Sequence, residues 1–222
     1  MKRESAARAN AKLRNLVGLV HRAVDAHHAK QVPTSPLPVQ CASGCASAAR
    51  GCCALMTVVE RAEVEHLVTR NPEAVARALP KLEASSTRIA EAIPPEMIGA
   101  CFKSEYAEKH AASAYHALYV TCPFLGDDHR CTVYADRPLA CRTHLVLSPP
   151  ELCELSGENS NHWILDAGTR LTAQASFLRG LEENGRPMSR WQFGTLPQLA
   201  LAVARGDAPV PTFPSADLPM SY

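Results

Sequence analysis

Cys122-Pro123-Phe124-Leu125, Cys131-Thr132-Val133-Tyr134 and Arg137-Pro138-Leu139-Ala140-Cys141-Arg142 follow one another within a single short stretch of the chain. Three cysteines, Pro123, Pro138 and Gly126 in so few residues interrupt any continuous helix, because proline lacks the amide that a helix interior needs. The stretch predicts a compact irregular segment, with short strands over Cys131–Tyr134 and Thr143–Leu147. Its thiols need partners elsewhere in the chain. Upstream lies a second cluster, Cys41, Cys45, Cys52 and Cys53, spaced C-x3-C-x6-C-C among Ser, Gly and Ala residues that let a loop turn tightly.

The sequence between and around the two clusters is helical in pattern. Leu55, Met56, Val58, Val59, Val64, Leu67 and Val68 predict a helix from just after Cys53 to about Thr69. Asn71, Pro72 and Glu73 read as N-cap, first-turn proline and favourable N-terminal acid of the next, which Pro80 should kink or divide. Pro94 and Pro95 break the pattern before a helix over Glu105–Leu118. Downstream, Ser148-Pro149-Pro150-Glu151 reads as a capping box, and the spacing from Trp163 through Leu181 predicts another helix. At the other end, Leu13, Leu16, Val17, Val20 and Val24 predict an amphipathic helix over about Ser5–Ala29, with His21, His27 and His28 towards its end and the last two facing solvent. The expected fold is mainly α, a helical domain packed around an irregular cysteine-rich metal centre with at most a few short strands. Residues 1–30 form the N-terminal helix, 31–40 a Pro-rich linker, 41–155 the cysteine core, 156–205 a helical extension, and 206–222 an irregular tail with few core residues.

Composition narrows the classes of function. The chain has 222 residues, 23 basic and 22 acidic, for a formal charge of +1, so no global field draws it to nucleic acid or an anionic membrane. Hydrophobic residues make up 46% and aromatics 5%, which suits helices better than strands. No apolar run approaches the roughly 18 residues of a membrane span. The basic N-terminus lacks the apolar core of a secretory signal and reads as a surface helix rather than a transit peptide. Nine cysteines without an export signal imply a reducing, cytoplasmic setting in which thiols stay available for metal, and the odd number argues against a complete disulfide framework.

A thiolate is a soft donor that suits zinc, iron and iron–sulfur clusters. Cys41, Cys45, Cys52, Cys53, Cys122, Cys131 and Cys141 therefore form the candidate metal-ligand pool. Arg50, Arg130, Arg137 and Arg142 lie near cysteines in sequence and can offset the negative charge of a thiolate centre, one or more of them being ordinary solvated side chains. Cys101 and Cys153, on predicted helices, read as structural, and His129 and His144 as outer-sphere or surface residues.

At these residues the sequence resembles the YkgJ-type family of zinc- or iron-chelating proteins, also described by a CxxCxxCC motif. The resemblance covers roughly Cys41 to Leu147 and is most specific in the ordered combination of Cys52-Cys53, Cys-Pro-Phe-Leu, Cys-Thr-Val-Tyr and Arg-Pro-Leu-Ala-Cys-Arg. It implies metal chelation. Six residues separate Cys45 from Cys52 where the family pattern is tighter, which sets Cys41 and Cys45 apart from the other five.

Three functions are compatible with this reading. The first is a metal-binding protein that stores, delivers or senses zinc or iron, with the metal ion as its partner. The second is an iron–sulfur or metal-dependent enzyme related to flagellin lysine-N-methylases. No glycine-rich nucleotide loop and no nucleophile–base–acid set supports catalysis, so an enzyme is the lesser expectation. The third is a zinc-stabilised adaptor, for which only the basic N-terminal helix speaks; no nucleic-acid partner is expected.

Overall fold

The computed structural model describes residues 2–35, 52–147 and 167–213. Among these residues the chain is mainly α, with eight α-helices and one two-stranded antiparallel sheet. Helix α1 (Lys2–Gln31) buries Leu13, Val17 and Val24. His21 and His28 are buried too, at 4% and 7% exposure, which corrects the expected solvent position of His28. The reason is periodicity: residues 17, 21, 24 and 28 fall on one helical face, and both histidines continue the apolar stripe.

The helix expected to start near Leu55 begins six residues later. Val58–Glu60 is strand β1, β-branched at two positions, and pairs with β2 (Phe193–Thr195) in the register Val58↔Thr195, Val59↔Gly194, Glu60↔Phe193. Helix α2 (Arg61–Arg70) then starts from a capping box in which the Glu60 side chain accepts from Ala62 N–H and the Glu63 side chain from Glu60 N–H. Gly194 lets α8 approach this sheet, since a Cβ there would lie 2.9 Å from the Leu199 side chain.

Helix α3 (Pro72–Ala92) runs through Pro80 undivided. Pro80 and Ala76, whose carbonyl loses its partner, both face solvent, where water can satisfy it. Asn71 does not cap α3 with its side chain; its amide donates to Leu67 O and Asp136 Oδ2, closing α2 instead. Helices α4 (Pro95–Cys101) and α5 (Glu105–Ala117) form the next pair, α5 opening on Ser104, whose side chain accepts from Ala107 N–H. The four-residue α6 (Leu139–Arg142) follows the cysteine loop, and α7 (Ala167–Glu183) and α8 (Leu196–Arg205) complete the set. Neither expected strand forms as a strand: Cys131 makes a single bridge to Leu125, Tyr134–Asp136 is a 3-10 turn, and 143–147 joins no named strand.

Two apolar clusters hold these elements. One joins α1, α4, α6 and α7 through Val17, Ile98, Leu139, Phe177 and Leu181, together with Trp191 and Phe213. The other joins α2, α3 and α8 through Leu67, Leu82, Leu199 and Ala200, with Phe124 and Val133 of the cysteine loop inserted into it. Phe213 is 1% exposed, and Thr212 N–H donates to Trp191 O, so the start of the expected irregular tail is tied to the core. The capping box at 148–151, residues 36–40 of the expected linker and residues 214–222 lie outside the described residues. No described helix is long and apolar enough to cross a membrane.

Candidate metal centre

The two cysteine segments meet. Cys122 N–H donates to Cys53 O at 2.6 Å, which fixes the loop after α5 against the short 3-10 turn Cys52–Ala54. From Cys122 the chain folds back on itself: Gly126 N–H donates to Arg130 O, the Thr132 amide and hydroxyl both donate to Phe124 O, and Leu125 pairs with Cys131. His129 takes up the turn at φ 62°. A Cβ at Gly126 would come within 2.7 Å of the Asp128 carboxylate, so a side chain there would push Asp128 aside.

Helix α6 brings in Cys141 and is anchored at both ends. At its start, Leu139 N–H donates to Glu63 Oε1 at 2.7 Å, the kind of acceptor an orphan N-terminal amide needs. At its end, Arg142 is 3% exposed, reaches Asp25 of α1 at 2.5 Å and donates to Ala135 O. His21 lies between these elements, 3.4 Å from Arg142, and its pKa is driven down to about 3 by burial and then by Arg142.

Cys53, Cys122, Cys131 and Cys141 face one cavity of about 850 Å³, whose apolar wall includes Tyr115, Phe124, Phe177 and Phe193. All four residues are half-buried. Burial is the first cause that pushes up the pKa of Cys122, Cys131 and Cys141, the last to about 12. Neighbouring thiols add to it at Cys122 and Cys141. Working the other way, the Phe124 amide lowers the value of Cys122, the Val133 amide that of Cys131, and the Thr57 side chain that of Cys141. Burial and then Cys122 and Cys141 also raise the pKa of the Tyr115 hydroxyl. The site thus sets nearby donors that favour thiolates against a burial cost of charging them. In donor type a thiolate is a soft ligand.

The expected ligands divide. Cys53, Cys122, Cys131 and Cys141 come together. The Cys52 side chain, Cys41 and Cys45 lie outside the described residues, as does Cys153. Among the described residues, no group of three or more His, Cys, Asp or Glu side chains is arranged so that it could hold a metal ion. Cys101 donates to Met97 O at 3.1 Å within α4, as a structural cysteine does, while also reaching the cavity wall. His129 and His144 line the cavity as well. Of the arginines, Arg130 is exposed, Arg142 turns away to Asp25, and Arg137 stays at the cavity. Sequence reasoning missed Thr57, Tyr115 and Glu63. Tyr115 carried a readable signal, being a buried aromatic on the same helical face as Ala111; the other two act through contacts across the fold.

Comparison with family models, curated proteins and solved structures gives no match to the chain.

Proposed function

We propose that the protein binds zinc or iron, as an ion or an iron–sulfur cluster, through cysteine thiolates of the two clusters, and serves in storage, delivery or sensing of the metal in the cytoplasm. One observation carries the reading: cysteines from three separate stretches, Cys53, the Cys122–Cys131 loop and Cys141 on α6, face one cavity, where nearby backbone amides favour the thiolate at two of them. Buried cysteines used only for packing have no need of such donors. The ion would supply the positive charge that turns these thiols into thiolates. Cys52, Cys41 and Cys45 are the further candidates for completing the shell, and the resemblance to YkgJ-type chelating proteins points the same way.

Anaerobic purification, elemental analysis and a visible spectrum test the reading, together with metal content across nine single Cys→Ser variants. Stoichiometric zinc, or iron with labile sulfide, is expected, lost at Cys53, Cys122, Cys131 and Cys141 and kept at Cys101 and Cys153. Metal-free protein, or metal that depends on Cys101 but not on Cys122, overturns it.

The cavity volume favours one second reading, a metal-dependent enzyme, because about 850 Å³ lies in the range of small-molecule sites. Mass spectrometry of molecules released from the purified protein by acid separates the two. A stoichiometric organic compound supports the enzyme, and metal alone supports the binding protein.

A further inference from the structure

Arg137 is 8% exposed, and no carboxylate pairs with it among the described residues. Arg61 and Arg142, buried as deeply, each have one: Glu65 at 2.8 Å and Asp25 at 2.5 Å. The Nε of Arg137 is buried without a hydrogen-bond partner, and the hydrogen bond from its Nη1 to Tyr134 O is long at 3.5 Å. A guanidinium cannot shed its proton in a protein, and a buried cation without a counter-charge is strongly unfavourable. The Tyr134 ring, its centre 3.6 Å from the guanidinium carbon, offsets only part of that cost. What the ring does supply is orientation: stacking holds one face of the planar group and leaves the donors along its edge.

Arg137 lines the cavity of about 850 Å³, a volume in the range of small-molecule sites, together with the apolar wall of Phe124, Phe177 and Phe193. The carboxylates of that cavity are committed elsewhere. Glu60 is held by Arg186 and by the amides of Ala62 and Gln192, Glu63 by the amides of Glu60 and Leu139, and Glu108 is exposed. We propose that the cavity binds a small organic carboxylate, its acid group taken by the fork of Arg137 and its apolar body lying against the phenylalanine wall. Arginine is suited to this task because its parallel N–H groups match the two oxygens of a carboxylate. One carboxylate also balances one guanidinium, whereas a phosphate monoester carries close to two charges and overshoots. The inference needs no metal in the cavity and adds a ligand to either reading above.

The test titrates the full chain, before and after removal of metal, with phenylacetate and hexanoate, with their neutral amides, and with phenyl phosphate, following the ligands by NMR. At least one acid should bind, and its amide about 10- to 100-fold more weakly, the size of a charge-assisted hydrogen-bonded contact. Arg137→Met should weaken the acid by a similar factor and leave the amide unchanged, and Arg137→Lys should recover part of the loss. Stripping the metal should leave the acid's affinity as it was. The comparison of acid with amide is made on the parent protein, so it holds whatever the variants do to folding. Failure of both acids to bind, equal affinity for acid and amide, tighter binding of phenyl phosphate than of either acid, or acid binding that survives in Arg137→Met or vanishes with the metal would each overturn the inference. Metal content, measured on the same samples, is a separate result: protein that holds no metal yet binds the acid through Arg137 overturns only the metal-binding reading.

Discussion

Two sets of buried polar groups line one cavity, and they are finished to different degrees. On one side, the capping-box carboxylates are closed. Glu60, 0% exposed, accepts from Ala62 N–H at 2.6 Å and Gln192 N–H at 3.2 Å, and pairs with Arg186 at 2.8 Å. Glu63 spans Glu60 N–H and Leu139 N–H. On the other side, burial pushes up the thiols of Cys122, Cys131 and Cys141, while Arg137 has positive charge and no carboxylate paired with it among the described residues. A closed network is structure, worth most to the fold whether or not a ligand is present. An open one points to a ligand.

The largest effect should therefore come from breaking the closed side. Glu60→Ala leaves Arg186, 12% exposed, without its partner and strands two amides, and should cost about 3–5 kcal/mol in chemical denaturation. The loss should be the same with and without metal. If it appears only in metal-loaded protein, the two sides are not separate. Next comes metal removal, which should lower stability by about 4 kcal/mol when free metal stands a thousandfold above its dissociation constant. Cys122→Ser should abolish that increment yet leave the metal-free protein near its parent stability, the reverse of Glu60→Ala.

A third prediction concerns pH and sharpens the comparison within the closed side. Burial raises the Glu63 pKa from its ordinary 4.5 to about 7. With the folded value raised, the folded state holds the proton more tightly. The contribution of Glu63 is full below the unfolded value and lost as pH rises through about 7. His21 is depressed from 6.5 to about 3, so its contribution is present above 6.5 and lost as pH falls. Across their shared window the two slopes oppose. Glu63→Gln should expose a stability that rises with pH, its difference from the parent changing by about 3 kcal/mol between pH 4.5 and pH 7. His21→Gln should expose the opposite slope. Parallel pH profiles for parent and Glu63→Gln proteins would show that Glu63 keeps its ordinary affinity for protons.

The same contrast explains what the sequence made legible. Periodicity locates α1 because an amphipathic face is written in one segment, the Asn71-Pro72-Glu73 start signal locates the beginning of α3, and the cysteine spacing marks both halves of the site. What escaped depends on partners far along the chain. Val58–Glu60 becomes a strand because Phe193–Thr195 lies beside it, a pairing that no local pattern announces. Pro80 stays within α3 because its orphaned carbonyl happens to face water. Glu63 reads as an ordinary first-turn acid, and only the arrival of Leu139 makes it a brace for the cysteine helix. Arg137 and Arg142 look alike in sequence; Asp25, more than a hundred residues away, separates them.

That last pair gives the smallest expected effect. Asp25 is 54% exposed and its partner Arg142 only 3%, so the bond joins the N-terminal helix to α6 at the edge of the thiol site. Asp25→Asn leaves a buried guanidinium without a carboxylate, but Ala135 O still accepts from it and water reaches the exposed half of the pair. The cost should fall to about 1–2 kcal/mol, below that of a fully buried pair and above that of a surface pair. Metal content should not change, because α6, which carries Cys141, is also anchored by a contact that Asp25 does not touch, Leu139 N–H donating to Glu63. A matched loss of metal in Asp25→Asn would mean that the docking of α1, rather than the brace at Glu63, sets the position of Cys141. Limited proteolysis of the variant, with and without metal, shows which: cleavage within α1 that metal suppresses would tie the N-terminal helix to the centre, and cleavage indifferent to metal would leave Asp25 a simple clasp.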